Sequence, residues 1–391
     1  MLLSAAFGVG TSWSFFQITA GLFIIPMQAE FGWSRSATAI APIGALISTL
    51  FYPFAGALID RWGPRRMSII GLVGLSAGFV LFAIEPANKA FVHTVLVYVS
   101  IVGAISNPII FSKGVATWFV RNIGMAVGLM QTGISVATAI GIPLLSMMIA
   151  RHGWRSGYLA MAGVIAFVSL PPVLLWFRTP PQFQPGSADV NLVPGHSFSE
   201  AVRDRRFWQM FASFVIVAIP IGGFIGHFTP LLIGLGATQP EAAGWGSLFV
   251  VSIGIGRFGV GILLDRVRPS FAAGGSLALA AVGALALGLI GTANGLLLGL
   301  AISMIGIAQG AEFDYASFFA VRTFGLRSYS KLVGVFSMAL GAGMAVGGFL
   351  FSAAYDHYGN YKIAIFASAV TYAAAAVLIS LIKVPIRTET Q

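Results

Sequence analysis

Cysteine is absent from this 391-residue chain, and charged residues make up only 9% of it. Without cysteine there are no disulfides, thiolate metal ligands or cysteine nucleophiles. A soluble globular protein typically carries about a quarter charged residues, so this chain has too little polar surface for a water-soluble fold. Hydrophobic residues instead account for 57% of the chain. Composition alone therefore predicts a membrane protein.

The sequence also lacks the motifs of several function classes. No Gly-x-x-x-x-Gly-Lys-Ser/Thr phosphate loop occurs, so ATP-driven transport has no support. Gly254-x-Gly256-x-x-Gly259 has the spacing of a dinucleotide fingerprint but lies inside an apolar segment, without the preceding strand that the motif needs. Net charge is +10, yet the basic residues are spread over short loops rather than gathered in a nucleic-acid-binding patch. We expect no cofactor, no metal and no enzymatic activity.

Apolar segments long enough to cross a bilayer follow one another along the chain. A transmembrane helix needs about 20 largely apolar residues. Such stretches, read between loops marked by charge, proline or glycine, predict an all-α membrane protein with twelve transmembrane helices. The predicted spans are 4–27, 36–59, 67–85, 91–116, 123–150, 156–177, 207–233, 242–264, 271–290, 294–319, 330–354 and 362–383.

Lys and Arg are distributed unequally over the predicted loops. Fifteen of them lie in loops on the side that holds both termini, and five lie in the opposite loops. The positive-inside bias then predicts a multi-pass protein of the cytoplasmic (inner) membrane with both termini in the cytoplasm. Two basic residues remain inside spans. We interpret Lys113 as reaching the interface from the end of its span, whereas Arg257 lies too deep for that.

A long polar stretch divides the predicted spans into two sets of six. We expect an N-terminal bundle at 1–177, a cytoplasmic linker at 178–206 and a C-terminal bundle with a short cytoplasmic tail at 207–391. The later part of the linker, from Ser199, has the composition of a short cytoplasmic helix.

The two halves repeat each other. Gly56 and Asp60 recur as Gly261 and Asp265 at an offset of 205 residues. The sequence RNIGMAVG from residue 121 matches RSYSKLVG at an offset of 206 residues. Two matches at equivalent span boundaries indicate parallel repeats of the kind found in membrane transporters.

The loop after the second span resembles the best-known signature of the major facilitator superfamily, G-x-x-x-D-R-x-G-x-x-x. The matching residues are Gly56, Asp60, Arg61, Gly63, Arg65 and Arg66, with a degenerate second copy at Gly261, Asp265 and Arg266. The segments EFGWSRSATA, HFTPLLIGLGATQPEAA, GRFGVGILLDR and GAEFDYASFFAVRTFG are similar to the monocarboxylate transporter and oxalate:formate antiporter branch. This resemblance implies two pseudo-symmetric six-helix bundles around a central cavity.

Arg257 stands in the otherwise apolar run VSIGIGRFGVGILLDR. An ionisable side chain inside a transmembrane helix costs about 2.5–3.5 kcal/mol on insertion scales, so it usually faces a cavity or a partner. The resemblance implies that Arg257 binds the substrate carboxylate, since a guanidinium donates two parallel hydrogen bonds to such a group. The alternative is a structural ion pair with an acid in the tenth span.

Two departures from the branch bear on the substrate. Ile253 occupies the position where animal-type monocarboxylate transporters have an aspartate, which leaves their proton route without its residue here. The lysine that oxalate antiporters have within span eleven is also missing, because residues 332–355 contain no basic residue. A single arginine suits one carboxylate better than it suits oxalate.

Glu312 and Asp314 are the acids of the tenth span. At 100° per residue their side chains point about 160° apart, so they do not form a shared-proton pair on one face, whereas Gln309 and Glu312 do share a face. Burial favours a neutral carboxyl group, which makes either acid a candidate proton carrier, with Glu312 preferred. The alternative is that one acid pairs with Arg257 or Arg322.

Several neutral side chains inside spans are further candidates for contacts with substrate. Trp13 and Gln17 lie one turn apart and would offer an aromatic wall and an amide. Asn107, followed by proline, predicts a break in the fourth span, and Gln131 lies in the fifth. His227 in the seventh span would bind substrate or a proton. For each of them alone, helix packing or a hydrogen bond between helices is an equally good explanation.

The resemblance implies a gate at the two signature loops, formed by Asp60, Arg61 and Arg65 in one and by Asp265 and Arg266 in the other. A solvent-edge ion pair is worth about 0–1 kcal/mol, so it can break during a transport cycle. The same charges also determine topology, and the two roles are compatible.

Together these features predict a secondary active transporter that moves a small organic anion, preferably a monocarboxylate, by alternating access. Its predicted partners are the anion, protons or a counter-anion, and the lipid bilayer, with no nucleic acid and with the protein as a monomer. One alternative is a major facilitator efflux carrier for a drug-like or neutral substrate. Another is a membrane sensor that does not transport.

Overall fold

A computed structural model describes residues 1–32, 40–84, 88–119, 123–180, 195–290 and 295–384 of the chain, without the side chains of 40–42, 89, 243, 265 and 313. Within these ranges the regular structure is helical and contains no β-strand. The helices are α1 Leu2–Gly10, α2 Trp13–Thr19, α3 Gly21–Phe31, α4 Ile40–Trp62, α5 Pro64–Ala83, α6 Lys89–Ile105, α7 Pro108–Trp118, α8 Ile123–His152, α9 Trp154–Val164, α10 Leu170–Trp176, α11 Phe198–Arg203, α12 Arg205–Gly234, α13 Gln239–Arg266, α14 Pro269–Leu289, α15 Leu296–Phe324, α16 Tyr329–Tyr358 and α17 Lys362–Ser380, with a π-helical turn at Ile165–Ser169.

The number of predicted spans is confirmed. Ten segments of the described chain are helical, long and apolar enough to cross a membrane, and two further pairs of helices qualify together although each pair is bent. Counting each bent pair as one span gives the predicted twelve.

The first span is bent where the sequence predicted one continuous stretch. The axes of Leu2–Thr19 and Gly21–Phe31 differ by 49°. Thr19 Oγ1 donates to the carbonyl oxygen of Phe15, 2.9 Å away, and such a side-chain bond to the preceding turn bends a helix.

The tenth span is also bent, by 44° between Leu296–Glu312 and Asp314–Phe324. No proline stands near this point, so the sequence offered no signal for it. The bend separates the two acids of the span.

Two local features follow the sequence closely. The fourth span breaks between α6 and α7, where Asn107 caps α7 by accepting a hydrogen bond from the Ile109 amide at 3.3 Å and Pro108 starts the helix. The short helix predicted from Ser199 is α11, and Ser197 and Glu200 form a capping box at its start.

Contacts along the chain divide it into two compact units. Unit 1 comprises Met1–Val120, Leu129–Gly195 and Leu326–Gly334. Unit 2 comprises Arg121–Gly128, His196–Gly325 and Val335–Gln391. The predicted linker at 178–206 stays a prediction, since residues 181–194 lie outside the described ranges.

Aromatic side chains form the core of unit 1. The Tyr158 ring on α9 stacks on Phe23 of α3 with centroids 4.0 Å apart, and on Phe82 of α5 at 5.0 Å. Phe16 on α2 reaches Phe79 of α5 at 5.3 Å. These buried rings join the first span to the third and sixth, which holds the Trp13 region in place.

Candidate functional site

In unit 2, helices α13 and α15 approach backbone to backbone around Arg257. Gly256 lies against the carbonyl oxygen of Ile307, and Gly310 lies against the carbonyl oxygen of Ile253 and the Arg257 amide. A Cβ at either glycine would overlap those backbone atoms. Small residues at a membrane helix interface permit such close packing. They bring the Arg257 segment next to the acids of α15.

Glu312 is buried beside Arg257. Its carboxyl group is attracted by the Arg257 guanidinium and repelled by Asp314, while the residue is only 4% exposed. Its Oε2 atom makes no hydrogen bond within the described part of the chain. The structure therefore brings together the predicted substrate cation and the preferred proton carrier.

Asp314 is 2% exposed and lies just beyond the bend of α15. Its Oδ2 atom is 4.0 Å from the point where a side chain would begin at Gly128, and the Arg257 carbonyl oxygen is 2.7 Å from that same point. Asp314 thus lies on the α8 side of the cluster, close to the Arg257 backbone. Arg257 is half-buried, so the group consists of one half-buried cation and two buried acids, with two potential negative charges and one positive charge.

Two buried tyrosines complete this region of unit 2. Gln309 Nε2 donates to the Tyr372 hydroxyl of α17 at 3.2 Å, and the hydroxyls of Ser276 and Tyr315 are hydrogen-bonded to each other. Glu312 interacts electrostatically with both tyrosines. The sequence reasoning missed both tyrosines, although the spacing of Tyr315, three residues after Glu312, would have placed it on the Glu312 face.

Trp13 belongs to a polar cluster inside unit 1. Its indole Nε1 donates to Ser48 Oγ at 3.0 Å, and its ring fits against Gly103, where a Cβ would overlap it. The side chains of Ser48, Asn107 and Trp13 surround the Tyr52 hydroxyl. Trp13 is fully buried, so the structure joins two of the predicted residues, Trp13 and Asn107, through Ser48 and Tyr52.

The remaining neutral candidates are distributed over both units. Gln17 is half-buried on α2, and Gln131 is buried on α8 in unit 1. His227 on α12 is half-buried in unit 2, where Nε2 is 3.1 Å from the Gly348 carbonyl and 3.2 Å from Ser352 Oγ. The Tyr361 hydroxyl is 3.3 Å from His227 Nδ1. His227 therefore lies in a cluster of its own.

Asp60 forms the centre of a second charged group, within unit 1. Its Oδ1 accepts from Lys113 Nζ at 2.5 Å and from the Ser330 amide at 3.0 Å, and its Oδ2 accepts from the Lys331 amide at 2.9 Å. The two amides belong to the first turn of α16, which has a partial positive charge that favours an acid. The Lys113 side chain is 11% exposed. Its interpretation as an interface residue is therefore wrong, because it pairs with Asp60 inside the bundle.

The other gate candidates differ in their surroundings. Arg65 is exposed and donates from Nη2 to the Leu174 carbonyl at 2.9 Å. Arg61 and Arg266 are exposed at the ends of α4 and α13. The Asp265 side chain lies outside the described residues. Asp60 is thus the signature acid whose partners can be named.

The sequence profile of the Major Facilitator Superfamily matches residues 2–347. The chain belongs to the Major Facilitator Superfamily. Among its relatives, an uncharacterized 38 kDa protein in the 23S RNA operon of Thermoproteus tenax is 27% identical over 380 residues, covering 96% of this chain and 94% of that protein. Human monocarboxylate transporter 14 is 28% identical over 193 residues, covering 48% of this chain and 37% of the transporter.

The fold is the major facilitator fold, with twelve transmembrane helices in two six-helix bundles. The E. coli fucose:proton symporter FucP superposes with a TM-score of 0.70 at 16% identity, covering 98% of each chain. At that identity the likeness concerns the fold alone. Membership of the superfamily makes this chain a multi-pass membrane transporter with a small-molecule substrate, in a family of transporters and not of enzymes.

Proposed function

We propose that this major facilitator protein transports a small organic anion, with a monocarboxylate as the preferred class, in symport with a proton or in exchange for another anion. The observation that carries the proposal is the group in unit 2 formed by one half-buried cation, Arg257, and two buried acids. Kinship with monocarboxylate transporter 14 over about half of this chain supports the substrate class.

Charge balance gives the mechanism its form. With both acids ionised, the group formed by Arg257, Glu312 and Asp314 carries one net negative charge. A substrate carboxylate that pairs with Arg257 would add a second, and uncompensated charge in a buried site is costly. A proton on Glu312 returns the net charge of the group to minus one, its value before the substrate bound. It also releases Arg257 to bind the substrate through two parallel hydrogen bonds. Substrate and proton therefore enter together.

Exchange is the other form of the same mechanism. If neither acid takes up a proton, Arg257 can pair with the substrate only when Glu312 turns away, and a bound anion must then be replaced by another before the carrier returns. In both forms the two bundles expose the site alternately, as inverted-repeat and parallel-repeat transporters do.

The roles of the neighbouring residues are part of the proposal. Gln309 holds Tyr372 beside Glu312, which keeps polar groups near the carboxyl when its partner changes. Trp13, Gln17, Asn107, Gln131 and His227 stay predicted contacts of the substrate. Asp60, Arg61, Arg65, Asp265 and Arg266 stay predicted gate residues, and the hydrogen bonds from the Ser330 and Lys331 amides to Asp60 support that role for the first loop.

Uptake into proteoliposomes tests the proposal. The uptake of labelled mono- and dicarboxylates is measured with and without an inward proton gradient. It is also measured in proteoliposomes preloaded with unlabelled anion. We expect monocarboxylate uptake that rises with the gradient and falls at least about 100-fold in Arg257→Gln, since charge-assisted hydrogen bonds to a carboxylate are worth about 1.5–3 kcal/mol each. Lys362→Gln, an exposed cation at the start of α17, is the matched control.

Flux only against preloaded anion would assign exchange. No carboxylate flux under any condition would reject the anion and point to the alternative, an efflux carrier for a drug-like or neutral cargo. Undiminished uptake by Arg257→Gln would remove Arg257 from the binding site.

A further inference from the structure

Unit 1 has an apolar groove whose lining contains none of the residues with a role in the proposed transport mechanism. It has a volume of about 850 Å³ and lies between α1, α8, α9 and the π-helical turn. Its walls include Phe7, Val136, Ile140, Leu144 and Val168, each of which is between 46% and 58% exposed. An exposed apolar patch of this kind marks a site of interaction with an apolar partner.

The polar side chains in the floor of the groove are already satisfied. Thr11 Oγ1 donates to Ser169 Oγ at 2.7 Å, and Ser169 Oγ donates to the Phe7 carbonyl at 3.1 Å. Thr132 Oγ1 donates to the Leu129 carbonyl at 2.6 Å. The hydroxyl hydrogens of these three side chains are therefore already used, and an aliphatic chain fits the lining better than a hydrogen-bond acceptor does.

One end of the groove is basic. Arg151 and His152, the last two residues of α8, line it there and are exposed. Within the described chain Arg151 forms no ion pair, whereas nearby Arg155 pairs with Glu30 at 2.5 Å and lies over the Trp154 ring at 4.3 Å. A helix C-terminus favours a positive charge, but that does not explain why the charge caps an apolar groove.

The groove is long enough for one lipid chain. From Leu129 to Arg151 the wall of α8 rises about 33 Å at 1.5 Å per residue, which exceeds the thickness of about 15 Å of one leaflet of the hydrocarbon core. An acyl chain in the groove therefore places its headgroup at the level of the basic end. Basic residues at the membrane surface attract anionic lipid headgroups.

We propose that this groove is a binding site for an anionic phospholipid, with an acyl chain along α8 and the headgroup phosphate between Arg151 and His152. The lining residues belong to unit 1 and none of them is a member of the Arg257 cluster, so the proposal does not depend on which substrate the protein transports. It predicts that a lipid of this class remains bound when bulk lipid is removed.

Native mass spectrometry of the delipidated protein, titrated with phosphatidylglycerol or with phosphatidylcholine of the same chains, tests the headgroup. We expect a preference for phosphatidylglycerol of at least about fivefold, because one Lys or Arg near the surface contributes about 1 kcal/mol, which is a factor of about five. The double variant Arg151→Gln/His152→Gln should lose this preference. Lys362→Gln, which removes an exposed cation from unit 2, should keep it.

A second pair of variants tests the groove itself. Ile140 is 58% exposed in the groove, so the larger side chain of Ile140→Trp occupies the groove and does not overpack the core. It should therefore displace the bound lipid. Val370→Trp on α17, at a position 68% exposed outside the groove, is the matched control and should retain it. Equal binding of the two lipids by the wild type, or phosphatidylglycerol retention unchanged in both Arg151→Gln/His152→Gln and Ile140→Trp, overturns the proposal. So does a dimer in the same spectra that Ile140→Trp dissociates, because a second copy would then cover the groove.

Discussion

The two bundles each bury a charged group among apolar helices, and the two groups are built differently. In unit 1, Asp60 faces one cation, Lys113, and two backbone amides of α16, so its charge is balanced and its oxygens are hydrogen-bonded. In unit 2, Glu312 interacts with one cation, Arg257, and with a second acid, Asp314, and its Oε2 has no hydrogen bond in the described chain. A balanced pair is suited to hold one arrangement, and an unbalanced group is suited to exchange its partners.

The largest expected effect separates the two groups by stability. Asp60→Asn leaves Lys113 buried without a counter-charge and weakens the bonds to α16, so we expect a loss of about 3 kcal/mol in the free energy of unfolding. The double variant Asp60→Asn/Lys113→Gln should recover most of that loss. Thermal unfolding in one detergent measures both. If Asp60→Asn were as stable as Asp60→Asn/Lys113→Gln, Lys113 would not depend on Asp60 for its counter-charge, and the prediction would be wrong.

In unit 2, the neutralisation of Glu312 should affect the coupling of transport to protons and should hardly change the free energy of unfolding. Glu312→Gln leaves Arg257 with Asp314, so we expect a change below about 1 kcal/mol in the free energy of unfolding. A gradient of one pH unit is worth 1.36 kcal/mol per proton and supports about tenfold accumulation by one-to-one symport. Glu312→Gln should abolish that accumulation while exchange continues.

Arg257→Gln combined with Glu312→Gln distinguishes a functional group from a structural pair. If the pair is structural, the double variant should regain transport along with stability. We expect stability without uptake, and recovered uptake would contradict the assignment of Arg257 as the substrate cation.

The close approach of α13 and α15 is expected to matter less than the charges of unit 1. Gly310→Ala places a methyl group against the Ile253 carbonyl and should cost about 1–3 kcal/mol through overpacking, with reduced uptake because the Arg257–Glu312 distance changes. Gly254→Ala, on the partner helix α13 with open space around its Cβ position, should be neutral or slightly stabilising. Equal effects of the two changes would show that the contact is not tight.

The smallest effect belongs to a charged pair outside the spans, which gives a reference for both buried groups. Hydrogen bonds from Arg206, and its charge, hold the pKa of Asp204 below its usual range. This stabilisation is present above the unfolded pKa, near 3.9, and is lost as the pH falls through the lower folded value. Asp204→Asn should cost about 0.5–1 kcal/mol at neutral pH and reduce the loss of stability below pH about 4. If the free energy of unfolding of Asp204→Asn depended on pH as that of the wild type does, the prediction would be wrong.

The span count, the break before Pro108, the capped helix α11 and the superfamily signature could all be predicted from the sequence. Each depends on local chemistry. The length of an apolar segment decides whether it can cross the bilayer. Asn and Pro at fixed positions start a helix. A repeat is recognised from similar residues at a constant offset along the sequence. Arg257 and Glu312 could likewise be selected as costly residues inside spans.

What only the tertiary structure decided is which groups meet. Lys113 was assigned to the interface because nothing in its span indicates Asp60, which lies 53 residues earlier. The bend between Glu312 and Asp314 has no sequence signal either, and Tyr372 reaches Gln309 across 63 residues. Such contacts are set by how helices pack, through glycines such as Gly256 and Gly310 that let two backbones touch. Periodicity reports the face of one helix, and the partner of that face is a property of the folded bundle.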